Sequence, residues 1–318
     1  MYTEEQRAYH ATTLAVESDY RKLKELRGRY QSWSAAWEAI KSSHPTVSRD
    51  AQWEELETLG IKLILREDDD FPELLREIPW PPFGIYVKGD LPAKSATGVA
   101  IVGTRRATPQ GKKFAGRLAR DLAARGVTIV SGLALGIDAA AHAAAVGVGG
   151  KTVAVLGNGL DRTYPREHER LAKEILEANG AIVSEYPPHT PSLPYRFLER
   201  NRIVSGLSRG TIVVEAPESS GALATARFAL EQNREIFVVP GPVEHPSYVG
   251  SHELIKAGAT LITNAGDVST ALNLEAAPRT PVARNRALDE KASAILNVLQ
   301  TAGASLGVQA ITDRTGID

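Results

Sequence analysis

Cysteine is absent from this 318-residue chain, and methionine occurs once. The missing thiols exclude disulfides, thiol nucleophiles and cysteine-ligated metals, and they agree with a reducing cytoplasm as the site of action. An excess of either charge is missing too: 37 Lys and Arg face 38 Asp and Glu, a formal net charge of −1. A surface for a polyanion must therefore be a local patch. No apolar run approaches the roughly 20 residues that span a bilayer, and the start Met-Tyr-Thr-Glu-Glu-Gln does not read as a signal peptide. No membrane association is expected. Clusters of His and acids at metal-ligand spacing are lacking, and so is a nucleophile elbow. Asp138 and His142, one helical turn apart, read as structural, and Tyr164-Pro165 and Tyr186-Pro187-Pro188 as turn formers. The expectation is a protein without catalytic residues, metal or cofactor.

What is present is an ordinary globular composition, 43% hydrophobic and 24% charged. Residues 1–82 read as a helical N-terminal domain. Leu23, Leu26, Tyr30, Trp33, Trp37 and Ile40 recur at spacings of three and four, with breaks at Gly28 and His44-Pro45, and a second short piece runs through Trp53, Leu56 and Leu59. The break at Leu26-Arg27-Gly28 admits two readings, a small packing domain or a worn helix-hairpin-helix that touches a DNA backbone. Residues 83–272 alternate short apolar strands with amphipathic helices. Strands are expected at 85–87, 99–102, 127–131, 153–156, 181–184, 211–215, 235–239 and 260–263. The fold class is α/β, a Rossmann-like doubly wound, mostly parallel sheet with ligands at the carboxyl ends of its strands. Residues 273–287, with Pro278 and Pro281 and no apolar period, read as a linker. Residues 288–318 read as the start of a further small helical domain, cut short. One helix there carries Ala292, Ile295, Leu296 and Leu299 on one face, and another begins at Val308.

Residues 98–111 concentrate the chemistry. The strand Val99–Val102 breaks at Gly103, Thr104 and two arginines follow, and Thr108-Pro109 are good N-cap and first-turn residues for a helix. Such a turn is an anion site, and Arg105 and Arg106 point to phosphate. A dinucleotide is not expected: one glycine stands where the fingerprint needs three, and no acid follows the next strand, which ends Ser131-Gly132-Leu133. The segment Ala145–Thr152 resembles a relaxed Walker A, but it precedes a strand instead of following one, so ATP is not expected there. A second basic cluster, Arg196-Phe197-Leu198-Glu199-Arg200-Asn201-Arg202, sits ahead of strand 211–215, and its aromatics beside cationic forks suit single-stranded nucleic acid. Ser220-Gly221 forms a further hydroxyl-glycine turn at a helix start.

These motifs occur in an order that resembles one family. Val-Gly-Thr-Arg (102–105), Ser-Gly-Leu-Ala-x-Gly-Ile-Asp-Ala-Ala-Ala-His (131–142), Tyr-Pro (164–165), Ser-Glu-Tyr-Pro-Pro (184–188), Arg-Asn-Arg-Ile (200–203), Gly-Leu-Ser (206–208), Thr-Ala-Arg (225–227) and Val-Pro-Gly (239–241) are similar to those of the DNA-processing protein A family (DprA, also called Smf). The resemblance covers about residues 60–272. His168 and His252 stand where the family usually has Asn, Ala222 replaces a Ser, and Glu199 adds an acid beside the arginines.

The resemblance implies a sterile-alpha-motif-like N-terminal domain and the first helices of a winged-helix domain in the tail. It also implies a non-enzymatic function: binding and protecting incoming single-stranded DNA in natural transformation and loading the recombinase RecA, as a homodimer formed through the Rossmann-like domain. Combined with the residue reading, the expected DNA- and phosphate-binding residues are Gly103, Thr104, Arg105, Arg106, Phe197, Arg200, Asn201, Arg202, Ser220 and Gly221. Two alternatives remain, a nucleotide-cleaving enzyme of the phosphoribohydrolase type and a sensor of a small nucleotide.

Overall fold

A computed structural model describes residues 3–93, 96–274, 298 and 308–316. The chain forms two compact units, Met1–Thr280 and Pro281–Asp318. In the second, the helix expected from Val308 spans Val308–Thr315. The linker at 273–287 and the helix expected before Leu299 fall almost wholly outside the described residues.

The first unit opens with four helices: α1 (Glu4–Ala15), α2 (Tyr20–Arg29), α3 (Trp33–Ile40) and α4 (Arg49–Thr58). Local caps start them. Thr3 and Gln6 form a capping box on α1, Asp19 accepts from the N–H groups of Arg21 and Lys22, and Ser32 accepts from Ala35 N–H. The break expected at Gly28 is displaced: Gly28 lies inside α2, and the chain turns at Tyr30–Ser32, where Ser32 supplies the cap. A hairpin at Leu26-Arg27-Gly28 is therefore absent.

The helical character expected up to residue 80 also needs correction. Lys62–Leu65 is strand β1, on which Leu63 and Leu65 are buried in alternation. It pairs antiparallel with β2 (Gly84–Gly89), and the short helix α5 (Glu73–Arg76) lies between them. Tyr9, Trp33 and Trp53 from the helices share one apolar cluster with Leu63, Tyr86 and Leu156 of the sheet. Trp33 stands edge-on to Tyr9 and Phe83 at centroid distances of 4.9 and 5.4 Å.

All eight expected strands are present. After β2 come β3 (Gly98–Val102), β4 (Thr128–Ser131), β5 (Thr152–Leu156), β6 (Ala181–Ser184), β7 (Gly210–Val213), β8 (Glu235–Val238) and β9 (Thr260–Leu261). Their order is β1-β2-β6-β5-β4-β3-β7-β8-β9, parallel from β6 through β9. The chain thus runs outward from β3 to β6 and returns through α9 (Pro194–Gly206) to start β7 on the other side of β3. Strand order reverses between β3 and β7, where doubly wound sheets open a crevice.

Period-two alternation in the strands serves two helix layers. Val99 and Ile101 of β3 pack with Leu118 of α6 (Pro109–Ala123) and Ala141 of α7 (Ile137–Val146). Ala100 and Val102 pack with Ile203 of α9 and Ala226 of α10 (Gly221–Glu231). The remaining helices are α8 (Glu169–Glu177), α11 (Val249–Lys256) and α12 (Ala265–Ala271).

Two buried histidines set an acid limit on this fold. His10 bonds the Tyr86 hydroxyl at 2.9 Å through Nδ1, and His142 bonds Thr152 Oγ1 at 2.7 Å. Burial pushes His10 down from 6.5 to about 4, and burial, with His168 and Arg200 nearby, pushes His142 from 6.5 to about 3. Both are neutral in the fold, while the unfolded chain protonates them below its ordinary value. Stability from this source is therefore complete above 6.5 and is lost as pH falls toward the folded-state values. Thermal melts across a pH series should show the melting temperature falling through this window. His142→Leu should remove up to one proton from the slope, about 1.4 kcal/mol per pH unit; an unchanged slope would refute the assignment.

Candidate nucleic-acid interface

At the carboxyl ends of β3 and β7 lies a pocket of about 730 Å³. Its walls are the β3–α6 turn (Gly103, Thr104, Arg105, Arg106), the turn after β4 (Gly132, Ala134), the α9 side chains Phe197, Arg200 and Asn201, and the α10 start at Ser220 and Gly221. Nine of the ten residues expected from the sequence meet here. Arg202 does not.

The β3–α6 turn is shaped as its sequence suggests. Thr108 caps α6 by accepting from Gly111 N–H at 2.9 Å, with Pro109 in the first turn. The helix start, however, already faces an anion. Glu215, just beyond β7 and fully buried, accepts from Thr108 N–H at 2.9 Å, from the Thr108 hydroxyl, and from the Tyr248 hydroxyl at 3.0 Å. Its backbone carbonyl takes Thr104 N–H at 2.7 Å. A Cβ on Gly111 would lie 2.1 Å from the Glu215 carboxylate, so only glycine lets the helix approach. The phosphate expected at the N-terminus of α6 is thus replaced by a carboxylate of the chain itself. Burial and the Glu215 charge push the Tyr248 hydroxyl up to about 12.

The groups that remain open to the pocket are the exposed Arg105 and Arg106, Thr104, and the start of α10. There Ser220 accepts from Ala222 N–H at 3.2 Å, and Gly221 leaves open space where a side chain would stand. Asn201 is held against this turn, donating to Gly221 O at 3.2 Å. Arg105 lies 5.5 Å from the Phe197 ring centroid, and Phe197 lies 5.2 Å from the half-exposed Tyr164. Tyr164 was missing from the expected set because a Tyr-Pro pair signals a turn, whatever its ring faces.

Arg200 is buried at the pocket floor. Its Nη1 donates to Gly132 O at 2.7 Å and to Val155 O. A Cβ on Gly132 would lie 2.5 Å from its guanidinium, which explains the glycine. Asp138 stands beside it and accepts from Gly132 N–H at 3.0 Å. Burial lowers Arg200 to about 10, with Asp138 opposing the shift and Arg105 adding to it. Burial likewise raises the Asp138 carboxyl, against the attraction of Arg200. This pair orders the turn after β4 and adds little net charge to the pocket.

Arg202 faces away. Two residues along a helix is a rotation of about 200°, so it cannot share the Arg200 face. It is 1% exposed, its Nη2 donates to both Glu185 carboxylate oxygens at 2.6 and 2.7 Å, its Nε donates to Trp80 O at 3.0 Å, and it stacks on Trp80 at 4.5 Å. Every feature of its fork is used inside the protein, and the expectation that it binds phosphate is corrected accordingly. Arg196, buried against Tyr186, donates to Pro191 O. Among the described residues no group of His and acids is arranged to hold a metal ion. Arg202→Ala should cost about 3–5 kcal/mol in urea denaturation by stranding Glu185, whereas Arg105→Ala should stay within about 0.5 kcal/mol of the parent. Equal costs would contradict the division of roles.

Comparison with known proteins identifies the family. The Smf protein of Escherichia coli K12 is 48% identical over 207 residues, 64% of this chain and 55% of that protein. The chain spans about half the length of the curated relatives it matches first. The X-ray structure of DNA processing protein A from Streptococcus pneumoniae superposes with a TM-score of 0.67 at 33% identity, covering 84% of this chain and 92% of that one. The Helicobacter pylori DNA processing protein A, whose structure describes its single-stranded DNA binding mode, gives 0.59 at 34% identity, covering 67% and 95%. Residues 62–273 match the profile of the family described as DNA recombination-mediator protein A, and the chain belongs to that family.

Proposed function

We propose that this protein binds single-stranded DNA in the β3/β7 crevice and delivers it to RecA recombinase during natural transformation, protecting the incoming strand meanwhile. It does so in the cytoplasm, without catalysis, as a homodimer formed through the sheet domain. The observation that carries the reading is the pocket in which exposed Arg105 lies over the Phe197 ring beside Tyr164, with exposed Arg106 on the same lining. Cationic forks hold phosphates, and aromatic faces stack bases whatever their identity. The same arrangement lacks what a nucleotide cofactor needs, since the α6 start is filled by Glu215. The likeness to the single-stranded DNA-binding Helicobacter pylori protein supports the choice of ligand. RecA as partner and the homodimer rest on the family resemblance.

Fluorescence anisotropy with an oligonucleotide of about 35 bases, single-stranded and duplex, tests this across a salt series. Binding should favour the single strand and weaken with salt at a log–log slope of about −0.7 per phosphate neutralised. Arg105→Ala and Arg106→Ala should each flatten that slope by about one such step, and Phe197→Ala should cost about 1–3 kcal/mol. Binding indifferent to all three variants would overturn the site. Release of free base from nucleoside monophosphates, dependent on Arg105, would overturn the non-enzymatic reading.

A further inference from the structure

The stretches of chain on the two flanks of the pocket differ in charge. Toward β7 and β8, the chain has no Lys or Arg from Gly210 to Ala226, or from Glu235 to Ile255. The loops there present exposed Glu218 and Glu244. Toward α6 the balance reverses. Between Asp90 and Asp121 there is no acidic residue, while Arg105, Arg106, Lys112, Lys113 and Arg117 fall in that stretch and are exposed. A chain of phosphates leaving the pocket meets repulsion on one side and cations on the other.

The favoured side is also grooved. A small cavity of about 50 Å³, bounded by Arg105, Ala134, Leu135, Tyr164 and Phe197, adjoins the main pocket and shares most of its lining with it. Leu135 also lines an open groove of about 520 Å³ over α7 and α8. Leu135 and Tyr164, 43% and 42% exposed, stand side by side on the wall of the small cavity and form a small apolar ledge between pocket and groove. The groove floor is low because Ala140 and Ala143 of α7 lie along it, and Lys112, His168 and Arg170 stand at its sides. Arg170 and Glu174 pair with each other at 2.8 Å, so Lys112 and Glu167 are the charges that remain in the lining.

We propose that the single strand does not end in the crevice but continues past Leu135 and Tyr164 onto this α7–α8 groove, with Lys112 meeting its phosphates. This gives the bound strand one direction of exit, and it rests on the reading of the crevice as a DNA site. Arg105 and Phe197 would then stand at a bend where bases pass from the pocket to an apolar ledge.

Because the chain lacks cysteine, single thiols report the path without background. Ser219→Cys marks the pocket, Ala143→Cys the groove and Val243→Cys the β8 side. Each variant is mixed with an oligothymidylate of about 12 nucleotides carrying a thiol-reactive group on one backbone position at a time. Ser219→Cys and Ala143→Cys should cross-link at two separate sets of positions, displaced toward one end of the strand, and Val243→Cys at none. In parallel, Lys112→Glu combined with Ala143→Glu should weaken the long strand about tenfold and leave one of about four nucleotides within twofold. Cross-linking at Ser219→Cys without any at Ala143→Cys, or a long strand indifferent to the charge reversal, would overturn the groove while leaving the crevice standing. Failure at Ser219→Cys as well, with no salt-dependent binding, would reject the crevice itself.

Discussion

The buried carboxylate of Glu215 is the contact on which the site's geometry depends. A charged group removed from water must find hydrogen bonds, and Glu215 finds them in Thr108 and Tyr248, from elements that precede and follow it in the chain. Together with the bond from Thr104 N–H to the Glu215 backbone carbonyl, this ties the β3–α6 turn to the end of β7 across the point where the strand order reverses. With the turn so anchored, Arg105 and Arg106 are left projecting from its solvent side. The clamp also satisfies the α6 dipole internally.

Three arginines of similar appearance in the sequence end in three electrostatic roles. Arg105 is exposed and free to pair with an incoming anion. Arg200 keeps its charge at the pocket floor, but Asp138 balances it and two backbone carbonyls use its fork. Arg202 is spent on Glu185 and Trp80. So few free cations at the crevice are consistent with a chain whose net charge is −1. The uneven charge around the crevice, acidic beyond β7 and basic along α6, extends the same logic to the direction in which a strand would leave.

Much of the sheet was readable before any coordinates. Short apolar strands between amphipathic helices give the β3–β7 series, because burial on both faces demands continuous apolar runs. Strand β1 was not readable. Ile61-Lys62-Leu63-Ile64-Leu65 follows a helix closely, and so brief an apolar run does not declare its period. Gly28 misled in the other direction: it suggests a break, yet α2 carries it and Ser32 makes the actual turn. Of the residues that line the pocket, Gly103 through Arg106, Phe197 and Gly221 were singled out by turn chemistry and residue type, and Asn201 by the family resemblance.

The amino-acid sequence by itself determined the elements, the caps at Thr108 and Ser220, and the presence of arginines near a strand end, since these follow from neighbours within a few residues. Only the tertiary structure decided which arginines remain available and what fills the α6 start. Glu215 lies 107 residues from Thr108, and Glu185 lies 17 from Arg202. Whether a charge is neutralised depends on partners that only folding brings within hydrogen-bond distance.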